Sequence, residues 1–127
     1  MTDELDTPIG TKEPAKLAAG SVMVTHITIE SPKEGSKAKL VRFHCKHPDK
    51  DEEIVLSEIK VKKVQGNNET IKLDTLWWNL DDEGKVRKGS AVNQVLNFYK
   101  KESLRQFEGT TIATEQKATG FLAIKAY

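Results

Sequence analysis

Regular alternation of apolar and polar positions begins at Ser21, where Val22, Met23, Val24, Ile27 and Ile29 interleave with Thr25 and Thr28. Such a β-branched, period-two segment predicts a strand, and Ser31-Pro32 ends it. The apolar phase is even at 22 and 24 but odd at 27 and 29, so the inward face switches near Thr25-His26, which predicts a β-bulge there. After a turn at Lys33-Glu34-Gly35-Ser36, Val41, Phe43 and Cys45 alternate with Leu40, Arg42, His44 and Lys46, and the first set should face the core. A charged loop, His47-Pro48-Asp49-Lys50-Asp51, leads into a third strand through Ile54-Val55-Leu56 and Ile59-Lys60-Val61-Lys62. Gly66-Asn67-Asn68 closes it, and Ile71, Leu73 and Trp77, with Lys72, Asp74 and Trp78 opposite, predict a fourth.

The period then changes. Gly89-Ser90 offers an N-cap, and Val92, Val95, Leu96 and Tyr99 recur at helical spacing, followed by Lys100 and Lys101 where the helix end is partly negative. Ser103 and Gln106 have capping-box spacing, so Leu104 and Phe107 predict a short helical turn stopped by Gly109. Two final strands are expected over Thr110–Glu115 and Gly120–Tyr127. Six strands with the helix before the last two predict a mainly β fold. An OB-like, partly closed antiparallel barrel hides most strand edges of such a chain. Residues 1–20, rich in Pro, Gly and alternating charge without a sustained period, are expected to be a flexible tail preceding one domain over 21–127.

Composition narrows the class. Of 127 residues, 37% are hydrophobic and 31% charged, enough for one modest core and too apolar for a disordered chain. No apolar run reaches membrane-spanning length, and the first 20 residues lack that of a signal peptide, so a cytoplasmic protein without membrane contact is expected. The single cysteine excludes an intrachain disulfide. The net charge of +1 conceals segregation: residues 85–105 hold Lys85, Arg87, Lys88, Lys100, Lys101 and Arg105 against Glu102 alone, whereas residues 69–83 are acidic apart from Lys72.

Candidate catalytic and metal motifs fail on spacing. In His44-Cys45-Lys46-His47 a strand sends neighbours to opposite faces, leaving Cys45 with His47 where zinc needs three or four ligands. Asn79, Asp81, Glu83 and Gly84 begin like a calcium loop, but its twelfth position is Ser90 rather than a bidentate carboxylate. No P-loop, GxGxxG or GxSxG is present, so no enzyme activity, metal or cofactor is expected. What remains is cationic and aromatic. Arg42 and Lys46 share a strand face with His44, Lys60 shares one with Lys62, and Lys72 shares one with Trp78; adjoining faces would offer cations to phosphates and a ring to unpaired bases. Arg87 and Lys88 add charge at the helix N-terminus.

The segment from Lys88-Gly89-Ser90 through the helix Val92–Tyr99, Ser103-Leu104, Phe107-Glu108-Gly109 and the closing Gly120-Phe121-Leu122-Ala123-Ile124-Lys125-Ala126-Tyr127 resembles small phage and archaeal single-strand-binding-like proteins. Thr110 stands where that pattern carries lysine. The resemblance implies an OB-like barrel that binds single-stranded DNA or RNA nonspecifically, without a cofactor. The expected function is therefore a noncatalytic module binding single-stranded nucleic acid through Arg42, Lys46, Lys60, Lys62, Lys72, Arg87 and Lys88, with Trp78 stacking. The alternative is a protein-interaction or homo-oligomeric assembly module using a strand edge or the Phe98, Phe107 and Phe121 set.

Overall fold

A computed structural model describes residues 19–32, 34–35 and 37–127. Residues 1–18 of the expected tail, and Lys33 and Ser36 of the expected first turn, lie outside the described residues. The elements are β1 (Ser21–Glu30), β2 (Leu40–Lys46), β3 (Ile54–Leu56), β4 (Glu58–Gln65), β5 (Asn68–Thr75), α1 (Ala91–Phe98), a 3₁₀ turn (Leu104–Phe107), β6 (Thr111–Gln116) and β7 (Leu122–Ala126). The strands lie in the order β3-β2-β1-β6-β7-β4-β5.

Seven strands form among the described residues where six were expected, because the third predicted strand divides at Ser57. β3 pairs with β2, Phe43 opposite Leu56, while β4 pairs with β5 and β7. A single residue thus carries the chain from one end of the sheet order nearly to the other, which the sheet can accommodate only by curling. With β3 and β4 as halves of one bent strand, β1, β2, β3/β4, β7 and β6 form a five-membered ring, a partly closed OB-like barrel. One pairing departs from the antiparallel expectation: β4 and β7 run parallel, which the long connection through α1 permits.

Among the described residues β5 pairs with β4 alone, outside the ring, through the two-residue turn Gly66-Asn67, with Gly66 at φ 60°. The fourth predicted strand ends at Thr75 rather than Trp78. Leu76 N–H donates to the Ser57 carbonyl, Trp77 bridges Leu40, and Trp78 N–H donates to the Lys39 carbonyl, so this segment crosses to the start of β2. Leu76 is consequently buried, whereas Ile71 and Leu73 on the projecting hairpin are exposed.

The core contains Val41, Phe43 and Cys45 as the alternation requires, with Val22, Val24, Ile59, Ile112 and Ile124 from neighbouring strands. The β1 bulge occurs where the phase switch placed it: Val24 faces Cys45 and His26 faces His44, leaving Thr25 as the extra residue. Ser90 Oγ accepts from Asn93 N–H at 3.2 Å to cap α1, whose Val92, Val95 and Leu96 are buried. The helix ends in a Schellman arrangement, with Lys100 N–H donating to the Asn97 carbonyl, Lys101 N–H to that of Leu96, and Lys100 left-handed at φ 56°. The expected Ser103 capping box does not form: its hydroxyl makes no cap bond, and Gln106 Oε1 accepts from Glu102 N–H rather than from Ser103 N–H. Phe107 packs edge-on to Phe43 at 5.1 Å in the core, which removes it from the exposed phenylalanine set of the assembly reading. Among the described residues no helix is long and apolar enough to cross a membrane.

Candidate nucleic-acid interface

The β6–β7 hairpin turns over Lys117-Ala118-Thr119-Gly120, with Lys117 N–H donating to the Phe121 carbonyl and Gly120 N–H to that of Lys117. Gly120 takes φ 89°, the left-handed corner such a turn needs. This closure lifts Phe121 out of the hydrophobic pattern, and the residue is 73% exposed. It forms one wall of a groove of about 450 Å³, completed by Lys50, Ile54, Val55 and Leu56 of the β3 segment, the acidic side chains Glu53 and Glu58, and Lys117. Lys117 Nζ lies 2.5 Å from Glu58 Oε1, so this pair closes one side of the groove with little net charge.

The β2 face adjoins the β3 wall because His44 stands opposite Val55 on the same side of the sheet. Arg42 and Lys46 belong to that face. Arg42 Nε is 3.5 Å from Glu30 Oε2, while Lys46 lies at the exposed end of β2. The other residues selected from the sequence do not join them. Lys60 donates to the Gln116 carbonyl at 2.6 Å and pairs with Glu115, and Lys62 pairs with Glu69 at 2.9 Å. Lys72 faces Val61, putting it on the opposite side of the β4–β5 ladder from Lys60 and Lys62. Since β5 stops at Thr75, Lys72 and Trp78 do not share a strand face, which corrects the pairing expected of them.

Trp78 packs against the core and lines a second cleft with Val86, Asn93 and Lys101, whereas Trp77 is 39% exposed. Arg87 is spent on structure: its guanidinium donates to the Leu80 carbonyl at 2.9 Å across the Asn79–Arg87 turn, and Lys88 is exposed just before α1. In the same turn Asp81 Oδ1 accepts from Glu83 and Lys85 N–H, so its carboxylate organises backbone. Lys50, Lys117 and Phe121 were not among the residues expected to contact nucleic acid, Phe121 having been assigned to the assembly alternative. Only Phe121 left a sequence signal, an aromatic directly after the glycine of a tight turn.

Outside the β1–β2 ladder lies a polar cluster. His44 Nδ1 is 3.0 Å from Glu53 Oε2, and His26 Nδ1 is 3.5 Å from Glu53 Oε1. The two imidazoles stack at 4.1 Å with 13° between their planes. Thr25 Oγ1 lies 2.9 Å from both Glu53 Oε1 and the His44 carbonyl, which share its one proton, and 3.0 Å from His26 Nδ1, while Thr28 Oγ1 lies 2.8 Å from His44 Nε2. The Thr25 bond, then that from His44, hold the Glu53 carboxyl below the usual carboxylate range. On the opposite face of β2, burial and then the Glu53 charge push the Cys45 thiol up to about 12, which makes it inert as a nucleophile. His47, also buried, accepts from Asp49 N–H through Nδ1.

Comparison with protein-family models, curated proteins and solved structures finds no match to this chain.

Proposed function

We propose that the protein is a noncatalytic module that binds single-stranded nucleic acid in the groove between β3 and the β6–β7 turn. The observation that carries the reading is Phe121, whose exposed ring stands across a groove from Lys50 and beside Lys117. OB-type barrels bind oligonucleotides over the corresponding strands and loops, and a base needs only a flat apolar partner for its ring. Arg42 and Lys46 on the adjoining β2 face extend the cationic track, while Lys60, Lys62, Lys72, Trp78, Arg87 and Lys88 have no direct part in it. Because Glu53 and Glu58 offset Lys50 and Lys117, stacking carries more of the affinity than charge does.

Fluorescence anisotropy with a labelled DNA strand of roughly 12 nucleotides tests this, a length within the range one OB fold covers. Two or three phosphate contacts give a shallow log–log salt slope of about −1.4 to −2. Phe121→Ala removes one stacking platform and weakens binding by about 5- to 150-fold, the equivalent of ~1–3 kcal/mol per base. Absence of saturable binding at low salt, or equal affinity of the Phe121→Ala variant, rejects the reading.

A second reading, assembly through a strand edge, rests on the projecting β4–β5 hairpin. Val64, Ile71 and Leu73 are exposed together on one side of it, and the outer edge of β5 has no partner strand among the described residues. Sedimentation that shows a monomer at all concentrations removes self-association from consideration.

A further inference from the structure

We propose that His26, His44 and Glu53 form a binding site for a divalent transition-metal ion of the zinc class, with at least one coordination position open. Both imidazoles direct Nδ1 toward the same carboxylate, and one ligand atom from each of the three residues lies within 4.8 Å of the others. Tetrahedral zinc with bonds of about 2.0–2.2 Å needs its ligands about 3.3 Å apart. His44 Nδ1 lies 3.0 Å from Glu53 Oε2 and His26 Nδ1 3.5 Å from Oε1, each near that value though to different oxygens of the carboxylate, which turns to offer one of them to the ion. Near-parallel rings 4.1 Å apart cannot both aim an in-plane lone pair at one ion, so binding requires His26 to swing out of the stack and Glu53 to turn with it, and their side chains, 49% and 42% exposed, have room to do so.

Two further features suit a metal. A ligating imidazole is normally oriented by a partner on its other nitrogen, and Thr28 Oγ1 supplies one to His44 Nε2. The β1 bulge turns two consecutive residues, Thr25 and His26, outward, which brings His26 onto the ring of His44. The His26–Glu53 distance of 3.5 Å is too long for a good hydrogen bond, and His26 Nδ1 is instead 3.0 Å from Thr25 Oγ1, a contact that a bound ion would replace. Nitrogen and carboxylate ligands in a two-to-one ratio favour zinc and neighbouring late first-row ions over calcium or magnesium.

The test uses the full chain without a polyhistidine tag, with the metal alone as probe. Calorimetric titration with Zn²⁺ should give one saturable site, and Co²⁺ should develop the visible absorption of a low-coordinate ion. His26→Ala and Glu53→Gln should each weaken binding by at least about tenfold, and Thr28→Val by about 10- to 100-fold through the loss of orientation alone. All three leave the core intact, and an unchanged metal-free melting curve establishes that each variant is folded. Absence of a saturable site overturns the proposal. So does a site whose affinity and cobalt spectrum survive His26→Ala and Glu53→Gln, because the ion would then sit elsewhere.

Discussion

Tyr99→Phe removes one oxygen, yet should be among the more damaging conservative substitutions in the barrel. β6 and β7 pair from Gln116↔Leu122 to Thr114↔Ile124, and the next pair in that register is Ala113 with Lys125. There the strands part, as β7 turns to run beside β4, with Lys125 opposite Lys60. The Tyr99 hydroxyl occupies the gap, accepting from Ala113 N–H at 3.0 Å and donating to the Lys125 carbonyl at 2.6 Å. Phenylalanine fills nearly the same volume but orphans a donor and an acceptor, each costing about 1–3 kcal/mol when water cannot replace the partner. With Tyr99 only half-buried, the lower end applies to each, giving a loss of ~2 kcal/mol and about 10 °C in Tm for a domain near 100 residues. Urea unfolding gives the free energy, and hydrogen exchange locates the effect, since the Ala113 amide should lose its protection. A loss below about 0.5 kcal/mol with Ala113 still protected would show that water substitutes for the hydroxyl and that it does not hold the strands apart. Burial pushes the Tyr99 phenol up, outweighing the Ala113 amide. Above pH ~10 the unfolded chain therefore releases a proton the native state retains, and stability should fall with rising pH; this slope should flatten in the phenylalanine variant.

Three further outcomes follow from the same geometry. Lys100→Gly relieves a left-handed backbone at the end of α1 and should stabilise the fold by about 0.5–1 kcal/mol, read from the urea midpoint, without loss of helical signal. The Cys45 thiol, buried and pushed up to about 12, should resist a disulfide reagent at pH 8 in native protein and react at once in denaturant; rapid native labelling contradicts its burial. Glu115, held low first by the Tyr127 hydroxyl, and Glu53, held low first by Thr25, both have folded values below their unfolded ones. Their stabilisation is present above the unfolded value of about 4.3 and is lost as pH falls through the lowered folded values, so Glu53→Gln should flatten the acid limb of a pH–Tm curve.

Much of the fold was legible because alternation reports where successive side chains point. The inward set Val41, Phe43 and Cys45, the bulge at Thr25 and the Ser90 cap are all local, and each stands where the pattern placed it. The break at Ser57 was not legible, since both halves keep the strand period and only the pairing of Ile54–Leu56 with β2 divides them. The cationic residues illustrate the same limit. Period two correctly aligned Lys60 with Lys62, but whether Lys72 faced them depended on the β4–β5 register, which put it opposite Val61.

By itself, then, the sequence determined a β-rich fold, the inward face of β2 and the α-helix among the described residues, because these follow from side-chain period and capping over a few residues. Tertiary structure decided which strands meet, and with them the groove beneath Phe121 and the meeting of His26, His44 and Glu53. Those contacts join segments far apart in the chain, and their register is set by ring closure and core packing, which no local pattern encodes.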